Sequence, residues 1–172
     1  MSEPEVDVRL VGPQAWSLWR EGRLRALADS PTAFGSTYER ELAFTTDQWR
    51  DRLASKSASV LATADGAVVA MGGGFVPDDG WCHLFGMWVD PAWRRLGLSR
   101  RVLDLLLAWA SERRLPVSLE VTVGNEVARA VYERTGFVAT GETRPLRPGA
   151  EEQVERMVLP STLDAAAQSK DS

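Results

Sequence analysis

The chain contains very little cysteine, histidine and lysine. Its 172 residues include one cysteine, Cys82, one histidine, His83, and two lysines, Lys56 and Lys170. A single cysteine excludes a disulfide within the chain, and one cysteine with one histidine cannot supply a zinc cluster, so we expect no bound metal. The cysteine usage and the lack of a signal-peptide pattern indicate a cytoplasmic protein.

Long apolar runs and excess positive charge are also missing. No run is long enough to span a bilayer, so we expect no membrane segment. A net charge of -4 and a pI of about 5.1 argue against a nucleic-acid partner. Length and a hydrophobic content of 44% favour one domain over residues 1–160. The small, polar segment 161–172 is predicted to be a disordered tail.

Residue periodicity predicts alternating strands and helices. Apolar residues in strand-like patterns predict strands over 6–10, 60–63, 68–75, 81–89, 117–123, 137–143 and 153–159. Helices are predicted from Gly12-Pro13 to Ser30, from Thr45 to about Ala54, from Leu98 to about Arg114, and from Asn125 to Gly136. No internal repeat is present.

The most informative stretch is Met87–Arg101, M-W-V-D-P-A-W-R-R-L-G-L-S-R-R. A strand ends at Val89, a loop containing Gly97 follows, and a helix begins at about Leu98. Free backbone N–H groups and the helix dipole make such a loop a site for phosphate or pyrophosphate. The segment also carries four cations with no acid between Asp90 and Asp104, which favours a local anionic ligand: Arg94, Arg95, Arg100 and Arg101.

Two motifs resemble those of the GNAT acetyltransferase superfamily. The family's Arg/Gln-x-x-Gly-x-Gly/Ala loop, which follows a Val-x-Pro strand end, is similar to Arg94-Arg95-Leu96-Gly97-Leu98-Ser99, with Ser99 replacing the usual Gly or Ala. The family's second motif, Asn-x-x-Ala-x-x-x-Tyr-x-x-x-Gly-Phe, is matched at every position by Asn125, Ala128, Tyr132, Gly136 and Phe137. The resemblance covers roughly Trp81 to Phe137. It implies an α/β fold with a mixed central β-sheet, flanking helices and an acyl-CoA site.

This resemblance implies an N-acetyltransferase that moves an acetyl group from acetyl-CoA to a primary amine by direct attack. It further implies that the strand ending at Val89 splays from the strand over 117–123 and that the pantetheine arm inserts in the gap. Tyr132 is the implied general acid. The implied cofactor-binding residues are Met87, Trp88, Val89, Arg94, Arg95, Leu96, Gly97, Leu98, Ser99, Arg100, Asn125 and Tyr132.

The sequence does not identify the general base. An alkylammonium with a pKa near 10.4 is only about 0.04% neutral at pH 7, so a group must remove its proton. Glu120 lies on the strand beside the implied cleft, and His83 is a second candidate because histidine is the residue type whose ordinary pKa lies nearest neutral pH. Ordered water is a third candidate. Glu39 and Glu41 are candidates for attracting a cationic amine, and the competing interpretation is that their charges are simply solvated.

Structural interpretations compete with these roles. In these interpretations Asn125 is only a helix N-cap and Tyr132 is only an aromatic residue of the core. Glu120 would then face solvent, and His83 would have a structural role. The competing function is a non-catalytic acyl-CoA-binding sensor or partner subunit. A nucleotide-phosphate binder is disfavoured because no Gly-x-x-x-x-Gly-Lys-Ser/Thr motif is present.

The sequence does not select the acceptor. A polyamine, an antibiotic, an amino acid, a protein N-terminus and a lysine side chain all stay open, so the partner is either a small-molecule or a peptide amine. Dimers are common in the family, which makes a homodimer one expectation.

Overall fold

The computed structural model describes residues 4–54 and 56–160. Seven strands form one sheet in the order β1-β2-β3-β4-β5-β7-β6. The strands are β1 (Asp7–Leu10), β2 (Ser57–Ala64), β3 (Ala67–Phe75), β4 (Cys82–Val89), β5 (Val117–Thr122), β6 (Val138–Pro145) and β7 (Gln153–Leu159). The β4–β5 pair is parallel and the other pairs are antiparallel, which confirms the mixed sheet. The expected tail over 161–172 lies outside the described residues, and the 1–160 boundary stays a prediction.

Within the described residues, five α-helices flank the sheet: α1 (Trp16–Asp29), α2 (Tyr38–Leu42), α3 (Thr46–Arg52), α4 (Leu98–Glu112) and α5 (Glu126–Thr135). Four of them match the predicted helices, and α2 was not predicted. This short helix is capped by the Thr37 side chain, and its one buried residue is the charged Glu41. Apolar periodicity therefore carries no signal for α2.

The helices divide into two layers. Helix α4 packs its apolar stripe against one face of the sheet, where Val102, Leu106 and Ala110 are completely buried. Helix α1 covers the other face, where Trp19 and Leu27 join the core. No helix within these described ranges is long and apolar enough to cross a lipid bilayer.

Strands β4 and β5 separate soon after they meet. Their parallel pairing is confined to Cys82↔Val117 and His83↔Ser118. Beyond these pairs β4 stays with β3 as far as Val89, while β5 stays with β7. The β3–β4 register also shifts where Gly86 adopts a φ of +66°. The expected splay is therefore present, and it leaves backbone groups on the two facing edges without a strand partner.

Candidate active site

A narrow cavity of about 60 Å³ lies in the splay. Both strands and α5 contribute to its wall, and the lining includes four of the predicted site residues: Met87, Glu120, Asn125 and Tyr132. Trp88 and Val89 continue β4 beyond the lining residues. Met87 and Tyr132, which are 45 residues apart in the chain, thus meet at one opening in the sheet.

Tyr132 is buried and forms part of the wall of this cavity. Only 9% of the residue is exposed, and its ring packs edge-to-face on Phe137 at 6.0 Å between centroids. Burial raises the pKa of Tyr132 to about 12, because the phenolate would lose its hydration. The hydroxyl therefore keeps its proton at neutral pH and can act as a donor.

The ionisation of Tyr132 can be measured without any substrate. The chain has two tyrosines, so the phenolate absorbance of Tyr132 is the difference between the parent and Tyr132→Phe titrations. We expect this difference to titrate near pH 12 rather than near 10. Because the folded-state pKa is raised, the associated stability is present below pH 10 and is lost as the pH rises through about 12. A midpoint near 10 would contradict the buried position.

Helix α5 fixes the orientation of Asn125 and Tyr132. The Asn125 side chain accepts a hydrogen bond from the Ala128 amide at 3.3 Å, which is an N-cap. At the other end Gly136 adopts a φ of +113° and ends the helix. Asn125 therefore caps the helix, and the same residue also lines the cavity.

The start of α4 presents free amide groups. Its first backbone hydrogen bond runs from Arg101 to the Gly97 carbonyl at 3.2 Å, so the N–H groups of Leu98, Ser99 and Arg100 have no acceptor within the helix. Gly97 has a φ of +77°, and the first turn contains no acid and no side-chain cap. Amide groups and dipole thus favour an anion at this turn.

Two of the arginines near this turn already form ion pairs with acidic residues of the protein. Arg94 donates to Asp29 at 2.8 Å and to the Val89 carbonyl at 3.1 Å, while Arg100 pairs with Asp104 at 2.8 Å. The Trp88 indole donates to Asp29, and together with Arg94 it lowers the pKa of that carboxyl. A count of acids along the segment misses Asp29 because it arrives from α1. The local positive charge is correspondingly smaller than the sequence indicates.

The two base candidates occupy different places. Glu120 lines the cavity, and both its oxygens pair with Arg144, at 2.9 Å and 2.6 Å. His83 lies at the closed end of the splay, where its ring nitrogens contact Asp79 and the Ser118 hydroxyl, both at 2.7 Å. Glu120 thus faces the cavity, whereas His83 is not among the lining residues.

A larger cavity of about 520 Å³ adjoins the first on the α1 side of the sheet. Its wall includes Arg23 and Ser36, which sequence reasoning missed because no motif surrounds either residue. Glu41 lies behind this wall, where it is completely buried and paired with Arg23 at 2.7 Å and Arg52 at 2.9 Å. The expectation that Glu41 attracts an amine is therefore wrong, because its charge is already neutralised inside the core. Glu39 is exposed.

Cys82 is buried at the closed end of the splay, with 1% of the residue exposed. Burial raises the pKa of its thiol to about 11, so the thiolate is scarce at neutral pH. Cys82 therefore packs in the core and is not placed to act as a nucleophile. In the part of the chain that the structure describes, no three His, Cys, Asp or Glu residues are grouped as a metal site.

The model of the acetyltransferase (GNAT) family matches residues 23–137. The match includes both motifs, the splayed strands and the cavity between them. The chain belongs to this family and is an acetyltransferase. Comparison with curated protein sequences finds no significant match.

Solved structures agree on the fold. The chain is similar to a GNAT-family acetyltransferase from Streptococcus pneumoniae, with a TM-score of 0.72 and 19% identity over 90% of this chain and 98% of that one. It is also similar to the ribosomal-protein-S18-alanine N-acetyltransferase from Escherichia coli, with a TM-score of 0.65 and 22% identity over 91% and 94%. A putative streptothricin acetyltransferase from Bacillus anthracis, in complex with acetyl coenzyme A, aligns over 73% of each chain at 19% identity and a TM-score of 0.58.

Proposed function

We propose that this protein is an N-acetyltransferase that moves the acetyl group of acetyl-CoA to a primary amine by direct attack. The observation that carries the proposal is the placement of a buried, protonated Tyr132 on the wall of a cavity between two splayed strands. The test is thiol release from acetyl-CoA in the presence of a panel of amines. Release that depends on an amine supports the proposal, and none with any amine contradicts it.

The chain offers matching groups for each part of acetyl-CoA. The free amides of Leu98, Ser99 and Arg100 suit the pyrophosphate, with Gly97 keeping the approach open. The unpaired edge of β4 around Met87–Val89 suits the amide groups of the pantetheine arm, in the manner of an added strand. Asn125 borders the same gap. Bound acetyl-CoA supplies an activated acyl group with a thiolate as leaving group.

The reaction forms one N–C bond and breaks one C–S bond. One proton must leave the amine, and one must reach the departing sulfur. Tyr132 is the proposed donor of the second proton, because its hydroxyl is held neutral beside the cavity. A thiol with a pKa near 8.5 leaves well, so this proton accelerates the step without being essential to it.

Glu120 is our proposed acceptor of the amine proton, and its position in the cavity lining supports it over His83. Replacing Glu120 by Gln should lower turnover most at pH 6 to 7, where free amine is scarcest, and least near pH 9. The measurement is a rate–pH profile under saturating acetyl-CoA.

Glu142→Gln is the matched control, since Glu142 is an exposed carboxylate paired with Arg156 and does not line the cavity. If the Glu120→Gln profile overlays that of the parent, Glu120 is not the base. A loss confined to low pH in His83→Gln would then assign the proton to the Asp79–His83–Ser118 chain, and a loss in neither variant would assign it to ordered water.

The alternative function is a non-catalytic acyl-CoA-binding module. The observation in its favour is that both base candidates are engaged, Glu120 by Arg144 and His83 by Asp79 and Ser118. Acetyl-CoA binding without amine-dependent thiol release would select this alternative. The intact Tyr132 favours the enzyme.

Three narrower features belong to the same proposal. We place the protein in the cytoplasm, on the basis of its cysteine usage. We expect an acceptor that is a small-molecule or peptide amine and not a nucleic acid, given the acidic pI of about 5.1. A homodimer stays an expectation that sedimentation would test.

A further inference from the structure

The larger cavity has a buried cation with an unused donor in its wall. The Arg23 side chain is 6% exposed, and its Nε and Nη2 atoms donate to Glu41 at 2.7 Å and 3.2 Å. Its Nη1 atom has no hydrogen-bond partner among residues 4–54 and 56–160. A guanidinium stays charged in proteins, and leaving one of its buried N–H groups unpaired is costly. The free Nη1 therefore indicates a ligand that accepts hydrogen bonds.

Ser36 supplies a second unused group in the same wall. Its hydroxyl oxygen is buried and likewise lacks a partner within the described chain. A serine hydroxyl can donate to an acceptor that is also bound by a guanidinium. Two donors without partners in one cavity match the two oxygens of a carboxylate.

The charges around this cavity favour an anion. Arg23, Arg52 and Lys56 line it, against the single acid Asp51. Glu41, buried behind Arg23 and Arg52, neutralises one further charge and leaves the group with a net positive charge of one. A polycationic acceptor would meet this charge unfavourably, whereas an acceptor with a negative group would be attracted.

Arg23 also lies beside the cavity of the splay. Phe85 borders both cavities, and a Cβ atom at Gly86 would lie only 3.1 Å from Arg23 Nη1. The guanidinium stacks on Phe34, 5.0 Å from the ring centre, and Phe34 lines the splay cavity as well. An anionic group held by Nη1 is therefore close to the position where an amine would attack. The two groups must be only a few bonds apart in the acceptor.

We propose that the acceptor is a free amino acid or a compound of that type, a small primary amine whose nearby carboxylate binds Arg23 Nη1 and Ser36 Oγ. The proposal rests on the N-acetyltransferase function given above and names its substrate class. A cavity of about 520 Å³ is in the range of small-molecule sites and leaves room for an amino-acid side chain.

The test compares matched acceptors by two readouts. Each of the twenty common amino acids is paired with its α-amide, and binding to the full chain is measured by calorimetry alongside kcat/KM for thiol release. We expect at least one amino acid to exceed its amide by about 10- to 100-fold in both, the value of hydrogen bonds to a charged group. Spermidine should be a poor acceptor. Equal binding of every acid and its amide would overturn the proposal.

Variants locate the carboxylate. Ser36→Ala should reduce the preference for acid over amide about three- to tenfold, while Ser17→Ala, an exposed serine on α1, should not change it. Replacing Arg23 by Met together with Glu41 by Leu should abolish the preference without leaving either charge unpaired. If that double variant does not fold, Ser36→Ala and Lys56→Gln decide. Arg134→Gln is the charge control, because Arg134 is exposed near the end of α5 and does not line this cavity. A preference that survives all folded variants would overturn the proposal.

The outcomes separate this inference from the function on which it rests. Acetylation of amines without a preference for carboxylates would overturn the substrate class and leave the acetyltransferase function standing. Preferential binding of amino acids with no amine-dependent thiol release would support the carboxylate site and contradict the acetyltransferase function.

Discussion

Tyr132→Phe is expected to slow acetyl transfer by roughly 10- to 1000-fold, the contribution of one positioned proton donor. Acetyl-CoA affinity should be nearly unchanged, because Phe keeps the ring and its edge-to-face contact with Phe137. The measurement is single-turnover transfer, with acetyl-CoA affinity determined in parallel.

Tyr38→Phe is the matched control, because Tyr38 is the only other tyrosine in the sequence and is not among the residues that line the splay cavity. The rate loss in Tyr132→Phe should also shrink when the leaving thiol is more acidic, since a better leaving group needs less protonation. A normal transfer rate would reduce Tyr132 to a core aromatic. Loss of both affinity and rate would make it a residue that positions acetyl-CoA.

Gly97→Val is expected to weaken acetyl-CoA binding at least about tenfold, the effect of losing one hydrogen bond to a charged group. A Cβ at this position meets nothing within 4 Å in the protein, so the added side chain projects into the space that the pyrophosphate would use. Calorimetry of the folded variant measures the loss. Parent affinity should also fall with rising salt, because arginine–phosphate attraction is screened.

The backbone strain of this substitution needs its own control. Gly97 has a φ of +77°, and a valine there costs about 1–2 kcal/mol in the left-handed region. Gly80 has a φ of +78°, equally open surroundings and a position in the turn before β4. Gly80→Val should therefore show the stability loss without the affinity loss. Equal acetyl-CoA affinity in the parent and Gly97→Val would place the pyrophosphate elsewhere.

The local features that were predicted correctly depend on residues that are close together in the chain. The capping box at the start of α3 joins Thr45 and Gln48, three residues apart. The start of α4 depends on Gly97 and an apolar stripe, and the cap of α5 joins Asn125 to Ala128. Each feature is visible in sequence because its partners are within one helical turn.

The contacts that sequence analysis missed join residues that are far apart in the chain. Glu41 was a candidate for attracting an amine, yet Arg23, 18 residues away, neutralises its charge in the core. Arg94 was counted as a free cation, yet Asp29 pairs with it across 65 residues. The Glu120–Arg144 pair spans 24 residues between two strands. No local pattern encodes these partners, because they meet only after the sheet has assembled.

By itself, the sequence determined the family, the positions of the Gly97 turn and of Tyr132, and most helices and strands, because motifs, caps and periodicity act over a few residues. The tertiary structure alone decided which of these groups share a cavity and which charges stay free. It brought Glu120 and Tyr132 together in the splay and placed His83 at the closed end of the splay. It also left one nitrogen of Arg23 without a hydrogen-bond partner among the residues that the structure describes. The reason is physical: charge and burial depend on neighbours in space, and the pairing of strands chooses those neighbours.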